Sequence, residues 1–202
     1  ALDGTAAGDL WDNGSLIPAA NAPTDSDAGN NIVVYALPTV IDDVAASVSY
    51  ASDGNNHEGS LAYGLTYAGV DGLSVSFGYG ENKGTVNVTD EQLVAKASYA
   101  IGSITAGYSV NQVEKDAADS LTVSSMHIAY SLTDSISVSY GEETFDRSNN
   151  TTDIEVSGIK GSYTSGGMTL SALSYDSKNN DHTTTSANND NSYWQASLSF
   201  AF

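Results

Sequence analysis

The sequence has no cysteine, few prolines, few positive charges and no long apolar run. Without cysteine it can hold no disulfide framework, no cysteine-bound zinc and no thiol nucleophile. Six basic residues against 25 acidic ones, for a net charge of −19, cannot make the basic face that a nucleic acid requires. No stretch of about 18 apolar residues occurs, which excludes a transmembrane helix. The chain opens at Ala1 with no initiator methionine or signal peptide, which predicts a processed product or a piece of something larger.

Apolar and small polar residues alternate with a period of two through most of the chain, which predicts an all-β antiparallel fold. In the last segment, for example, Trp194, Leu198 and Phe200 alternate with Gln195 and Ser199. The sequence contains eleven such segments, with predicted spans 31–38, 44–51, 60–68, 73–80, 92–101, 104–113, 121–132, 136–144, 154–164, 168–176 and 193–202.

The second face of these strands differs from the outward face of a water-soluble sheet, which usually carries Lys, Glu and Arg. Here it is built from Ser, Thr, Gly, Ala and Gln. We assign five charged residues to strands or their edges, namely Lys96, Glu142, Glu143, Glu155 and Lys160. The alternation slips near Gly158, near Ala172 and between Leu121 and Met126, where we expect β-bulges or shifted boundaries.

The connections alternate in length. Short turns are predicted near 39–43, 69–72, 102–103, 133–135 and 165–167, and longer loops rich in Asp, Asn, Gly and Thr near 52–59, 81–91, 114–120, 145–153 and 177–192. All short turns then lie at one end of an antiparallel sheet and all long loops at the other. This arrangement is typical of a closed up-and-down β-barrel in an outer membrane.

Aromatic residues near strand ends share the parity of the apolar face, which predicts two girdles at the membrane interfaces. The alternative is the general preference of any sheet for tyrosine. The predicted girdle residues are Tyr50, Tyr79, Tyr108, Tyr140 and Tyr175 toward the long loops, Tyr67, Tyr99, Tyr130, Tyr163 and Phe202 toward the short turns, and Trp194 on the last strand.

Two stretches carry a family resemblance. The terminal segment 193–202, with a final Phe and apolar residues at alternate positions, is similar to a barrel-assembly signal. Segments 31–38 and 46–50 resemble the strand pair that follows a porin's constriction loop. The chain thus resembles the C-terminal two-thirds of a sixteen-stranded Gram-negative general porin.

The resemblance implies a transmembrane β-barrel in the bacterial outer membrane, in contact with its lipid, assembled as a homotrimer and without catalytic activity. Residues 1–30 would be part of the constriction loop and residues 31–202 the C-terminal part of the barrel. Strand parity then requires an odd number of strands before Ala1, and five would complete sixteen. The chain would be a fragment, a nicked porin or one half of a two-chain barrel.

Two sets of candidate site residues follow. If residues 1–30 enter the lumen, their carboxylates attract cations at the narrowest point, and Leu10 and Trp11 pin the loop to the wall or form a short helix. The predicted constriction residues are Asp3, Asp9, Asp12, Asp25 and Asp27, against the alternative of a solvated acidic loop. Lys96, His127 and Lys160 lie mid-strand and are predicted to line the lumen, as a basic strip or as isolated polar residues.

The sequence predicts no catalytic residues, no metal ligands and no cofactor. Segment 25–31 is weakly similar to a calcium loop but lacks the distal bidentate Glu, so structural calcium stays an open alternative. We expect a cation-preferring porin for passive diffusion of ions and small hydrophilic solutes, with no nucleic acid partner. The alternatives are a surface or secreted β-rich adhesin that binds calcium or carbohydrate, and an outer-membrane barrel enzyme.

Overall fold

The computed structural model describes residues 32–39, 41–52, 59–85, 88–115, 120–184 and 190–201. It confirms an all-β antiparallel fold with eleven strands in one sheet. The strands are β1 Ile32–Ala36, β2 Val44–Ala51, β3 Ser60–Tyr67, β4 Leu73–Thr85, β5 Val88–Ile101, β6 Ile104–Lys115, β7 Leu121–Thr133, β8 Ile136–Arg147, β9 Ile154–Ser165, β10 Met168–Lys178 and β11 Asn191–Phe200. A 3-10 turn, Asn180–His182, follows β10. Within the described ranges, no helix has both the length and the apolar character needed to cross a bilayer.

Each strand pairs with its neighbours in sequence, in the order β1 to β11. Tight turns join the strands at one end of the sheet, three of them with a glycine at positive φ (76° at Gly72, 57° at Gly102 and 58° at Gly166). Such a glycine suits two-residue hairpins, whose twist matches that of the flanking strands. In the turn between β7 and β8, the Thr133 hydroxyl accepts hydrogen bonds from the backbone N–H groups of Ser135 and Ile136.

At the other end of the sheet several strands run further than the sequence predicts. Segment 81–91 is predicted as a loop, yet β4 continues to Thr85 and β5 begins at Val88. Their ladder continues through Glu81 opposite Glu91, and its register shifts only between Asn82 and Thr85. Charged residues interrupt the apolar pattern here, but the backbone pairing continues through them.

The sheet has two chemically distinct faces. The outer face includes Phe77, Tyr108 and Ile128 and carries large apolar side chains that are about half exposed. The inner face, which includes Ser109 and Ser125, is largely polar and is buried toward the long-loop end. This is the reverse of a water-soluble sheet, where the apolar face is the buried one.

The slips in alternation are not bulges. The pairing of β7 with β6 is continuous from Leu121 to Tyr130, and β10 pairs with β9 without a shift past Ala172 and Gly158. Apolar residues instead occupy the inner face near the long-loop end. They form a buried inner cluster of Leu121, Val123, Phe145, Ile154 and Val156.

A matched pair of isoleucines on β9 tests the two faces. Ile154 is fully buried in the inner cluster, whereas Ile159 is 52% exposed on the outer face. We expect Ile154→Ala to lower the free energy of unfolding by about 2–5 kcal/mol, because it leaves a cavity. Ile159→Ala should cost clearly less. Urea unfolding of the folded protein in lipid or detergent measures both, and equal losses would contradict the assignment of faces.

Candidate functional site: the inner face of the sheet

The three mid-strand basic residues singled out in the sequence all lie on the inner face. Lys96 on β5 faces Ser76 and Ser109 on the neighbouring strands. His127 on β7 lies between Gly107 and Gly141. Lys160 on β9 lies between Ser139 and Leu173 and is exposed. The three residues lie on alternate strands, and each lies one inner-face register row further along the sheet than the one before. They therefore share the inner face but do not pair with one another across strands.

Glycines make room for two rings on this face. A β-carbon on Gly107 would lie 2.6 Å from Cε1 of His127, so the imidazole lies over the bare backbone of β6. The Nδ1 atom of His127 is buried without a hydrogen-bond partner. On β9, a β-carbon on Gly158 would collide with Cδ1 of Tyr175. Glycine in a strand often marks such a close approach.

Tyr175 therefore does not belong with the predicted aromatic girdle. It pairs with Gly158 and Tyr193 on the inner face and is only 4% exposed. The misassignment arises because β10 carries apolar residues on both faces, with Leu170 on the outer face and Leu173 on the inner one. Parity alone then does not identify the apolar side.

The other described aromatic candidates lie on the outer face, toward the two ends of the strands. Phe202 lies outside the described residues. Outer-face members are Tyr50, Tyr79, Tyr108, Tyr140 and Trp194 toward the long loops, and Tyr67, Tyr99, Tyr130 and Tyr163 toward the short turns. An apolar groove of about 480 Å³ on this part of the sheet is lined by Tyr99, Tyr108 and Tyr140, among others.

The sequence reasoning did not select Glu143 as a site residue. It is only 2% exposed on the inner face of β8, and its carboxylate accepts a 2.9 Å hydrogen bond from the Ser125 hydroxyl. One register row joins Lys96, Ser109, Ser125 and Glu143 across β5 to β8. The signal was present in the sequence, because Glu142 shares the parity of Tyr140 and so places Glu143 on the opposite face.

Serines line the inner face toward the short turns. A single row crosses five strands, and its members are Ser131, Ser137, Ser162, Ser171 and Ser197. Two hydroxyl pairs within it, Ser137 with Ser162 and Ser171 with Ser197, are each 2.7 Å apart. A continuous band of hydroxyls is a wettable wall, because each group can both donate and accept a hydrogen bond.

Many of the acidic residues that lie within strands face outward rather than inward. Glu81, Glu91 and Glu114 form one outer row across β4 to β6 at the long-loop end. Across β8 to β10 a polar hollow of about 380 Å³ is lined in part by Glu142, Glu155, Asp176 and Lys178. The Tyr140 hydroxyl donates a hydrogen bond to Glu142.

The predicted constriction residues Asp3, Asp9, Asp12, Asp25 and Asp27 lie outside the described residues, as do Leu10, Trp11 and most of the predicted calcium loop. Their roles stay predictions. In the part of the chain that the structure covers, no three His, Asp or Glu side chains come together as metal ligands.

Comparison with known proteins identifies the family. The sequence matches a family described as Gram-negative porin over residues 1–199. The chain belongs to the Gram-negative porin family. No curated protein matches its sequence.

Solved porin structures share its fold. An anion-selective porin from Comamonas acidovorans superposes with a TM-score of 0.65 at 16% identity, over 83% of this chain and 54% of the other. OmpT of Vibrio cholerae, folded in vitro and in its trimer form, gives 0.59 at 14% identity, over 84% and 64% respectively. The porin chain described here thus spans about half to two-thirds of the length of these structures.

Family membership assigns the two faces. The porin lies in the outer membrane of a Gram-negative bacterium as part of a β-barrel. Its exposed apolar outer face is the one that suits lipid, and its polar inner face is the one that suits a lumen. The inner face is called the lumen face from here on.

A matched pair of glycines on β9 tests the ring packing on the lumen face. Gly158→Ala should force Tyr175 from its position and destabilise the porin by about 1–3 kcal/mol, as overpacking does. In contrast, a β-carbon on Gly161 would meet only Ser137 O, at 3.9 Å, so Gly161→Ala should have little effect. The temperature at which the folded band is lost in semi-native electrophoresis compares them. Equal shifts would contradict the close approach.

Proposed function

We propose that the protein forms a water-filled channel across the outer membrane, through which ions and small hydrophilic solutes diffuse passively and without chemistry. The observation that carries this proposal is the distribution of polarity between the two faces. Lys96, Lys160 and Glu143 lie mid-strand on the lumen face, while large apolar residues are exposed on the outer face. Charges at mid-depth need water or a partner, and a lumen supplies water.

The proposed assembly is a homotrimer. The Vibrio cholerae OmpT structure is described as a trimer form, and that property belongs to OmpT. For this chain the support is family membership together with an outer face that is apolar and exposed over all eleven strands, which leaves room for contact with both lipid and neighbouring subunits.

Ion selectivity is proposed to depend on local charge rather than on the net charge of −19. In the register rows of the described strands, the lumen face carries Lys96, Lys115, Arg147 and Lys160 against Asp90 and Glu143, so the wall is not acidic. The proposed cation preference therefore rests on the five aspartates of residues 1–30 within the lumen. The Comamonas porin is anion-selective, and its selectivity is a property of that protein.

Planar-bilayer recording of the purified protein tests the channel and its preference together. We expect discrete current steps whose reversal potential in a salt gradient lies toward the cation equilibrium potential. Steps reversing toward the anion potential would keep the channel and reject the cation preference. A folded sample that produces no steps would reject the channel itself.

Removing lumen lysines should strengthen cation preference. Lys160→Gln removes a positive charge from an exposed position on the lumen face, so the cation-to-anion permeability ratio should rise, and more so at low salt. Lys178→Gln on the outer face is the matched control and should leave the ratio unchanged. Equal effects of the two variants would contradict the placement of the current path.

A further inference from the structure

We propose that Glu143 is a selectivity-determining residue of the lumen wall, which favours cations where the neighbouring wall is basic. This inference rests on the proposed channel. The residue lies on the lumen face of β8 and is 2% exposed. Among the described strand residues, the only other lumen-face carboxylate is Asp90, which lies near the end of β5 opposite Lys115.

The position of Glu143 sets the reach of its charge. It shares a register row with Lys96, three strands away, with Ser109 and Ser125 between them. At the usual strand spacing of about 4.8 Å, the backbones carrying these opposite charges are about 14 Å apart. The row therefore carries a positive charge on β5 and a negative charge on β8. An anion in the lumen is attracted to the first and a cation to the second.

Burial in the wall limits how far salt can screen this carboxylate. Counterions in the lumen cannot surround a group that is 2% exposed, so its field is screened less than that of a rim carboxylate. The Ser125 hydroxyl donates to the carboxylate oxygen at 2.9 Å and holds it on the wall. A fixed charge beside a confined aqueous path raises the local concentration of ions of opposite sign.

The chain offers a matched control in the adjacent residue. Glu142 carries the same charge on the same strand, but it faces outward and accepts a hydrogen bond from Tyr140. Glu142→Gln and Glu143→Gln thus remove the same charge from opposite faces of the wall. Both replacements keep the side-chain shape, and the amide oxygen introduced by Glu143→Gln can still accept the hydrogen bond from Ser125.

The experiment measures the cation-to-anion permeability ratio from reversal potentials in a potassium chloride gradient at low ionic strength. We expect Glu143→Gln to lower the ratio about two- to fourfold, as expected for one unit charge acting across about 10 Å of water with and without screening. Glu142→Gln should leave it unchanged, and Glu143→Asp, which keeps the charge, should stay close to wild type. An unchanged ratio in Glu143→Gln, or an equal fall in both glutamine variants, would overturn the proposal.

A second pair of variants separates charge from folding if Glu143→Gln does not insert. Glu143→Ser with Ser125→Glu moves the carboxylate one strand along the same row and should keep the wild-type ratio. Glu143→Ser alone should lower it, and the opposite pattern would overturn the inference. Absence of channel steps from wild-type protein is a separate outcome, because it rejects the proposed channel before any variant is compared.

Discussion

The pairing of backbone hydrogen-bonding groups is the constraint on which the rest of this structure depends. In hydrocarbon an unpaired N–H or C=O costs several kcal/mol, and only helices or paired strands avoid that cost. In this chain each of the eleven strands is hydrogen-bonded to its neighbours in sequence, which leaves only the outer edges of β1 and β11 without a strand partner among the described residues. Once the strands are fixed, side chains alternate between two solvents, and lipid and water select opposite chemistry on successive residues.

Much of the fold could be predicted because that alternation is strict where both solvents are present. The spans of β2, β6 and β9 follow the predicted segments within a few residues. The prediction was wrong where the strands extend beyond the apolar part of the outer face. Around Glu81 and Glu91 the outer face no longer carries apolar side chains, so the pattern resembles a loop although the ladder continues.

The lumen-face details were harder to predict, since they depend on which residues become neighbours across strands. Tyr175 has an apolar ring, so its sequence pattern assigned it to the lipid side. The register places it on the lumen face, where Gly158 opposite it leaves room for the ring. Likewise, Leu121 and Val123 interrupt the sequence alternation because they are apolar residues on the inner face, where they belong to the buried inner cluster. Such features follow from register, which a single strand does not reveal.

The effect of a charge likewise depends on the face on which it lies. A net charge of −19 describes the whole chain, but an ion in a channel responds to the few groups that line its path. Glu142 and Glu143 differ by one position and by which side of the wall they face. Two sequences of identical composition could therefore differ in selectivity through a one-residue change of parity.

The strictly sequential pairing order has a consequence for how such a protein can change in evolution. Because each strand contacts only its neighbours, the hairpin is the natural unit of gain or loss. Inserting two strands at a tight turn or a long loop preserves the direction of every other strand and the face of every other side chain. Inserting one strand would reverse the direction of all that follow. Barrel circumference can thus grow by duplication in even steps, while an existing wall keeps its chemistry.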